Sequence, residues 1–399
     1  MQTASFYDVV IIGAGPVGGS LACALAGGGL KVALVDKAAL PPMEHPDFDG
    51  RAYAIAGGCR RLLDETGLWD KLPFTPCPIL DIQVTDGKPG RPASPLSLHF
   101  DHKAVGDDPF GWIIEARALR IALNQQLHNN PNITLYAPAV AKLKRTADAV
   151  TVQIAGGPRF GAQLAIAADG RNSQIRAEAG ITVTRLPYNQ SGVVCAIAHE
   201  KPHHGVALEH FLPGGPFAQL PMTGTAAHPN VSAIVFTDKT TIANRLHELP
   251  ADRFHHEVAK RLGTHLGHFE LVGRRWTYPL SAMYAARYTA TRLALVGDAA
   301  HGIHPIAGQG LNLGLRDVMA LADILIEAAG TDLGDPALLA RYQAARRPAN
   351  MAMLAATDTL DRLFSTDNPA IRLARDIGLA AVDRMPGLKA RFMRAAVGN

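Results

Sequence analysis

Asp8-Val9-Val10-Ile11-Ile12-Gly13-Ala14-Gly15-Pro16-Val17-Gly18 is the stretch on which the reading of this chain turns. Val9 to Ile12 is a continuous apolar run, the pattern of a strand buried on both faces of a parallel sheet. Gly13, Gly15 and Gly18 then fit G-x-G-x-x-G. Ser20 to Leu30 follows as a small-residue helix and Lys31 to Val35 as a second buried strand. In such a βαβ unit the first glycine permits the tight turn. The second lets the backbone approach a pyrophosphate, and the third allows close helix-strand packing. The helix N-terminus presents free N–H groups and partial positive charge to the phosphates. Asp36 ends the second strand at roughly the 20-residue spacing from which an acidic side chain reaches a ribose hydroxyl. The stretch therefore predicts a bound dinucleotide, without choosing between NAD and FAD.

The rest of the composition excludes several classes. The chain has 399 residues, 48% apolar and 19% charged, enough for a large core and two joined domains. Lys+Arg number 39 against 35 Asp+Glu, and no basic block is interleaved with aromatics, so nucleic acid is not an expected partner. Cys23, Cys59, Cys77 and Cys195 form no C-x-x-C pair and read as structural thiols in a reducing compartment. Met1 to Tyr7 has no signal-peptide pattern, and no apolar run reaches the ~18 residues of a membrane span. The expected location is cytoplasmic, with peripheral attachment at the inner membrane left open.

Further along, residues 40–109 are rich in Pro, Gly and Asp, with one helix near Arg60 to Leu68, and read as loops and short strands laid over the first domain. A helix at Ala116 to His128 leads to strands near Ile133 and Val150, and Leu164 to Ala168 is another buried strand. Between Ile181 and Tyr284 the pattern changes to alternating strands, interrupted by one helix at Ala251 to Leu262. That is how an antiparallel sheet with one covered face reads. A buried strand returns at Leu293 to Val296, with a long helix at Asn312 to Ala329. The expected architecture is α/β. A Rossmann-like, glutathione-reductase-like dinucleotide domain is formed by 1–180 and 285–335. An antiparallel substrate domain is inserted at 181–284, and C-terminal helices at 336–399 are broken at Pro348, Pro369 and Pro386.

Two more segments point to a flavin. Asp169-Gly170 closes the strand Leu164 to Ala168. Gly297-Asp298 closes Leu293 to Val296, and Gly308-Gln309-Gly310-Leu311-Asn312 then opens a helix. This second helix N-terminus can stabilise negative charge on a reduced ring, which a flavin needs and a nicotinamide dinucleotide does not. Asp298 is expected to accept a hydrogen bond from a ribityl hydroxyl. Its alternative reading is a helix N-cap.

With these three motifs in this order the chain resembles the FAD-dependent aromatic hydroxylases related to para-hydroxybenzoate hydroxylase, over nearly its whole length. Within them it is most similar to the ubiquinone-biosynthesis hydroxylases. That similarity is carried by Asp298 to Asp317, by His210 to Pro221, by Asp49 to Ile55 and by Glu115-Ala116-Arg117, where Ala116 replaces an expected Asn. The resemblance implies non-covalent FAD, with NADH or NADPH as transient co-substrate and O2 as oxidant. A flavin hydroperoxide then delivers oxygen to the ring of a (poly)prenylated phenol, and other ubiquinone-biosynthesis proteins become candidate partners. It adds Lys37, Arg51, Arg117 and Val140 to the cofactor contacts Gly13, Gly15, Pro16, Val17, Gly18, Asp36, Asp169, Gly170, Asp298 and Gly308 to Asn312. The Pro305 carbonyl is expected to face the reacting carbon, or Pro305 is a rigid turn. Phe211, Phe217, Leu220, Pro221 and Met222 are expected as the apolar substrate wall, or as sheet core.

His301 and His304 lie three apart with no third ligand, so packing beside the flavin is preferred to a metal site. The absence of W-x-W-x-I-P and of a paired cysteine near the first helix argues against a halogenase and a disulfide reductase. A prenyl-chain reductase, a flavin oxidase and a non-catalytic FAD scaffold stay open. Leu363 to Ala396 places apolar residues at helical spacing among Arg and Lys. It reads as a C-terminal cap on the core or as a segment lying in a membrane interface.

Overall fold

The computed structural model describes residues 5–40, 48–94, 97–104, 106–304 and 308–364, with 385, 387 and 389. The chain opens with β1 (Phe6–Ile12), α1 (Pro16–Gly27) and β2 (Val32–Val35). Val9 to Ile11 and Val32 to Leu34 are fully buried, as the unbroken apolar runs require. The helix starts at Pro16 rather than Ser20, since proline lacks an N–H that the first turn would leave unbonded anyway. It stops at Gly27 rather than Leu30, and Gly28 follows as its cap.

Next come β3 (Ala52–Ala56), α2 (Gly57–Glu65), β4 (Cys77–Ile79), β5 (Asp81–Asp86), β6 (Leu98–Asp101) and β7 (Gly111–Glu115). β3, β7 and β4 make a small antiparallel sheet. β5 and β6 are not laid over the first domain as expected. β5 pairs with the later strand Val206–Leu212, so both extend the second large sheet. The reason is alternation: Ile82 packs with Ala207 in one apolar cluster while Gln83 points away.

α3 (Ala116–Asn129), β8 (Ile133–Tyr136), β9 (Ala141–Arg145), β10 (Val150–Ile154), β11 (Arg159–Ala167) and α4 (Gln174–Glu178) complete the first half. The second sheet is then built from β12 (Val183–His199), β13 (Val206–Leu212), β14 (Gly215–Thr223), β15 (Asn230–Lys239) and β16 (Phe269–Ala285). Two helices, α5 (Thr240–Glu248) and α6 (Ala251–Leu262), stand where one was expected. α5 is short and buries only Ala243 and Leu246, too little for a periodicity signal.

β17 (Thr289–Ala290), β18 (Leu293–Leu295), β19 (His301–Gly302), α7 (Gln309–Glu327) and α8 (Pro336–Phe364) follow. β18 pairs in parallel with β11, which pairs with β1, so the parallel order β18-β11-β1-β2-β8 joins strands from both sides of the second sheet's sequence. The acidic ends of β2, β11 and β18 thus come to one edge. α8 runs through Pro348 instead of breaking there. Buried anchors flank that proline. The Tyr342 hydroxyl donates to Leu295 O, and Asn350 is bonded to the core. Such anchors offset the ~3 kcal/mol cost of an interior proline. Pro369 and Pro386 lie outside the described residues.

The second sheet has two differently covered faces. Val193, Ile197, Phe217, Ile234 and Phe236 pack under Phe254 and Val258 of α6 and Ala243 of α5. The opposite face carries Ala207, Leu220, Met222 and Ala233, against Ala52 and Ala54 of β3 and Ile113 of β7. Among the described residues no helix is long and apolar enough to cross a membrane.

Candidate flavin site

At the C-terminal edge of the parallel sheet the glycine loop has two welded positions and one open one. Gly13 has φ +104°, and a Cβ there would lie 2.4 Å from the Ala168 carbonyl oxygen. A Cβ at Gly18 would lie 2.0 Å from Gly13 O. Gly15 has nothing within 4 Å of its would-be Cβ. Side chains are excluded at Gly13 and Gly18 by the fold, whereas at Gly15 there is space for a ligand. Asp36 holds the loop, accepting from Ala14 N–H at 2.7 Å and Ala38 N–H at 2.8 Å. Ala139 N–H bonds Asp36 O, which brings the turn bearing exposed Val140 beside Lys37 and Asp36.

The middle of the cradle joins all three motifs. Val17 packs onto Gly297 and Gly314, at 3.1 and 2.6 Å from their would-be Cβ atoms, so α1 and α7 approach on glycine. One carboxylate oxygen of Asp169 accepts from the N–H groups of Gln174 and Ile175, starting α4. The other is buried with no partner among the described residues. Beside Gly170, Arg171 reaches across, with Nε 3.6 Å from Asp298 Oδ2 and a bond to Ser281 O. Asp298 is exposed within a short 3-10 turn and caps nothing, so the N-cap alternative falls.

At the far end Gly308 is left-handed (φ +62°) before α7, whose N-terminus carries no side-chain cap. Gly310 has open space where a Cβ would stand. Asn312 is buried and clamps β3 to this end: its Oδ1 accepts from Ala56 N–H and its Nδ2 donates to Ala54 O, each at 2.9 Å. α7 starts at Gln309, three residues before the expected Asn312, because Gly308 supplies the turn. Pro305 lies outside the described residues.

Arg51 and Arg117 are neighbours, since Ala116 N–H bonds Arg51 O. Arg51 is held by Asp49 at 2.6 Å over the Trp276 ring, and Arg117 by Glu115 at 2.6 Å over Phe74.

Below the cradle, Asp317 is fully buried and accepts four hydrogen bonds. Gly297 N–H and His301 Nε2 (2.6 Å) reach Oδ2, while Arg346 Nε and Asn350 Nδ2 (both 2.9 Å) reach Oδ1. Burial alone would push this carboxyl up. His301, Arg346 and Asn350 outweigh it and hold the group below its ordinary value. His301 is thus a support of the Gly297 turn. His304, fully buried, stands edge-on to Tyr188 and 3.6 Å from Asp361, and burial lowers its pKa.

The residues nominated for the substrate wall do not share a face. Leu220 and Met222 face β3 and β7, and Phe211 stacks on Phe364 of α8 at 3.9 Å. Phe217 lies in the core under α5 and α6, and Pro221 pairs with Ser232, which has the parity of Ile234 and Phe236. The strand period of two places Phe217 and Pro221 away from the others, and they leave the wall. Asp317 closes the Asp298 to Asp317 stretch that carries the family resemblance and Arg171 directly follows Asp169-Gly170, whereas Arg346 and Asn350 carry no motif signal of their own.

Open space at Gly15 and Gly310, an unpartnered buried oxygen on Asp169 and an uncapped α7 fit a pyrophosphate at one end and an anionic ring at the other. An α/β fold with such a two-ended cradle, and a second sheet over its inner end, defines an FAD-dependent flavoprotein. Residues 6–357 match the family described as FAD binding domain, and the chain belongs to that family. It is 48% identical to ubiquinone hydroxylase UbiL of Rhodospirillum rubrum, covering 98% of this chain and 90% of that protein. It is 33% identical to 3-demethoxyubiquinol 3-hydroxylase of Escherichia coli, covering 98% of each. Among solved structures it is similar to p-nitrophenol 4-monooxygenase PnpA of Pseudomonas putida, with TM-score 0.78 at 18% identity, covering 100% of this chain and 99% of that one. The resemblance to FAD-dependent aromatic hydroxylases read from the motifs is borne out.

Proposed function

We propose that this protein is an FAD- and NAD(P)H-dependent monooxygenase that hydroxylates the ring of a prenylated phenol in ubiquinone biosynthesis. One observation carries the substrate side of the reading. Ala54, whose carbonyl is held by Asn312 and whose methyl lies near Gly308, belongs to the same apolar cluster as Leu220 and Met222. The inner end of the flavin cradle therefore opens directly onto an apolar wall, as a hydrophobic aromatic ring requires. The curated relatives named as ubiquinone hydroxylases support the same substrate class.

Gly13 to Gly18 with Asp36, Lys37 and Val140 would hold the adenosine and pyrophosphate half of FAD. Arg51, Arg117, Asp169, Gly170 and Asp298 would hold the ribityl region, and Gly308 to Asn312 the ring. Bound FAD supplies electrons from NAD(P)H and activates O2. The chain orients the ring, excludes water from the apolar side and presents the α7 N-terminus to negative charge. Asp317 keeps Gly297 in place so that Asp298 and Arg171 stay at the cofactor's edge.

A phenol with a prenyl tail resides in a bilayer, and the apolar and basic residues of 363–396 would give weak, salt-sensitive contact with it. Most of that segment lies outside the described residues. Flotation with anionic vesicles at low and high salt tests the contact. The main test is hydroxylated product formed in step with substrate-stimulated NAD(P)H oxidation by the FAD-loaded protein. NAD(P)H oxidation without hydroxylation of any prenylated phenol rejects the reading in favour of an oxidase, and no oxidation at all leaves a scaffold.

A further inference from the structure

Glu209 is a carboxyl set among apolar residues on the substrate-facing side of the second sheet. It lies between Ala207 and Phe211 on β13, so strand alternation turns it to the face that packs toward β3 and away from α5 and α6. Its direct neighbours are Val84 on β5 and Ala218 on β14, both uncharged. Among the described residues the Glu209 side chain has no hydrogen bond or ion pair.

The face around it is not closely packed. Val84, Glu209, Ala218 and Leu220 all belong to inner strands, yet each keeps part of its surface accessible. These residues therefore border open space on this face of the sheet. On one side that space is bounded by Ala54, which touches Gly308 of the ring-binding end. On the other it is bounded by Phe211 stacked on Phe364. A carboxyl on an apolar face beside the ring-binding end, with no side-chain partner among the described residues, meets the condition for a proton acceptor aimed at a ligand.

We propose that Glu209 is the residue that takes the phenolic hydrogen of the substrate, accepting its O–H hydrogen bond on binding and the proton itself as the ring is hydroxylated. This rests on the ring-hydroxylation reading above. The phenol O–H bond breaks, its electron pair stays on the phenol oxygen and the proton ends on a carboxylate oxygen of Glu209. Return of that proton to the product hydroxyl restores the residue. For a resting phenol, with pKa about 10, the transfer is uphill. It becomes favourable as the ring gives electron density to the incoming oxygen, the situation in which a positioned general base contributes about 10²–10⁴-fold.

Burial pushes the Glu209 carboxyl up to about 7, within reach of working pH, and it is the only influence on the group. Ionisable groups on the elements around this face add no shift to the carboxyl, among them Asp86 at the end of β5, the Glu115–Arg117 pair at the end of β7, Asp361 on α8 and Lys389 over Phe100.

The test is equilibrium binding of a 2-prenylphenol and its O-methyl ether to the FAD-loaded protein at pH 6 and pH 8, read from the flavin absorbance. The parent should prefer the phenol at pH 8 by about 10- to 100-fold, the range of a hydrogen bond to a charged group. That preference should shrink about tenfold at pH 6, where the carboxyl is mostly protonated. Glu209→Gln should retain FAD and show a small preference that does not change with pH. A parent that does not distinguish phenol from ether overturns the proposal, as does a Glu209→Gln protein that keeps the parent's pH dependence. If neither compound binds the parent, the ring-hydroxylation reading falls and this proposal falls with it.

Discussion

Replacing Asp317 by Asn tests whether the buried network beneath the flavin cradle holds the two halves of the site together. The side chain is fully buried, and each oxygen accepts two donors: Gly297 N–H and His301 on one, Arg346 and Asn350 on the other. Asn keeps the shape but turns one oxygen into a donor, so two bonds become donor-to-donor contacts and Arg346 loses its counter-charge. Breaking a buried pair by removing one partner costs about 3–5 kcal/mol. With roughly 2.1 cal/mol/K of unfolding entropy per residue over 399 residues, that is about 4–6 °C in Tm if unfolding is two-state. Thermal unfolding of apo and FAD-loaded protein, with a urea titration to check cooperativity, measures it.

The pH sign is fixed by the direction of the shift. Asp317 is held below its ordinary value, so its contribution is present above about pH 4 and is lost only as pH falls through the lower folded value. The deficit of the variant should therefore be constant from pH 6 to 8 and should narrow only in acid. The paired change Asp317→Leu with Arg346→Met should recover part of the loss, because no charge is left unpaired. A single-variant cost below about 1 kcal/mol would refute the claim that this network anchors Gly297.

Gly15→Val should leave the apoprotein's Tm unchanged and abolish FAD binding, whereas Gly13→Ala should destabilise the apoprotein itself, because only at Gly13 does the fold occupy the Cβ position. Apoprotein melting together with flavin titration separates the two, and FAD binding retained by Gly15→Val would contradict the cradle. Apoprotein Glu209→Gln should be more stable than the parent at pH 8 by at most about 3 kcal/mol and equal to it near pH 4. The raised carboxyl loses stability between its ordinary value and about 7, as pH rises; urea unfolding across pH reads this, and a parent stability flat from pH 4 to 8 would be inconsistent with it. Phe217→Ala should cost about 3–5 kcal/mol of stability and leave KM for the phenol unchanged. Leu220→Ala should raise KM instead, and the reverse pattern in steady-state kinetics would invert the face assignment.

The dinucleotide half of the protein was legible in the chain because its constraints are local. Unbroken apolar runs at Val9 to Ile12 and Leu164 to Ala167 suit strands covered on both faces, and each ends within a few residues of its own motif. Asp36, Asp169 and Asp298 are all found at strand ends or in the turns after them, as read. What local pattern cannot carry is which distant segment supplies the partner. β5 and β6 join the second sheet through a parallel pairing with β13 more than a hundred residues away, and nothing in Asp81 to Asp86 announces it.

The same limit explains the substrate wall and the supports of the site. Phe217 and Leu220 are both apolar residues of one strand, and composition cannot say which face α5 and α6 will cover; the strand period only says that the two differ. Asp317 is legible as the last residue of the Asp298 to Asp317 stretch, but its partners appear only when α8 brings Arg346 and Asn350 to it. Pro348 reads as a helix break until anchors at Tyr342 and Asn350 hold the helix through it. By itself the sequence determined the sheet type, the cofactor class and the acidic and glycine positions at the strand ends, since these follow from chain-local sterics and hydrogen bonding. Only the tertiary structure decided which side chains share a buried space, because burial, and with it the energy of Asp317 and the chemistry of Glu209, is a property of the packed surfaces and not of either strand or helix alone.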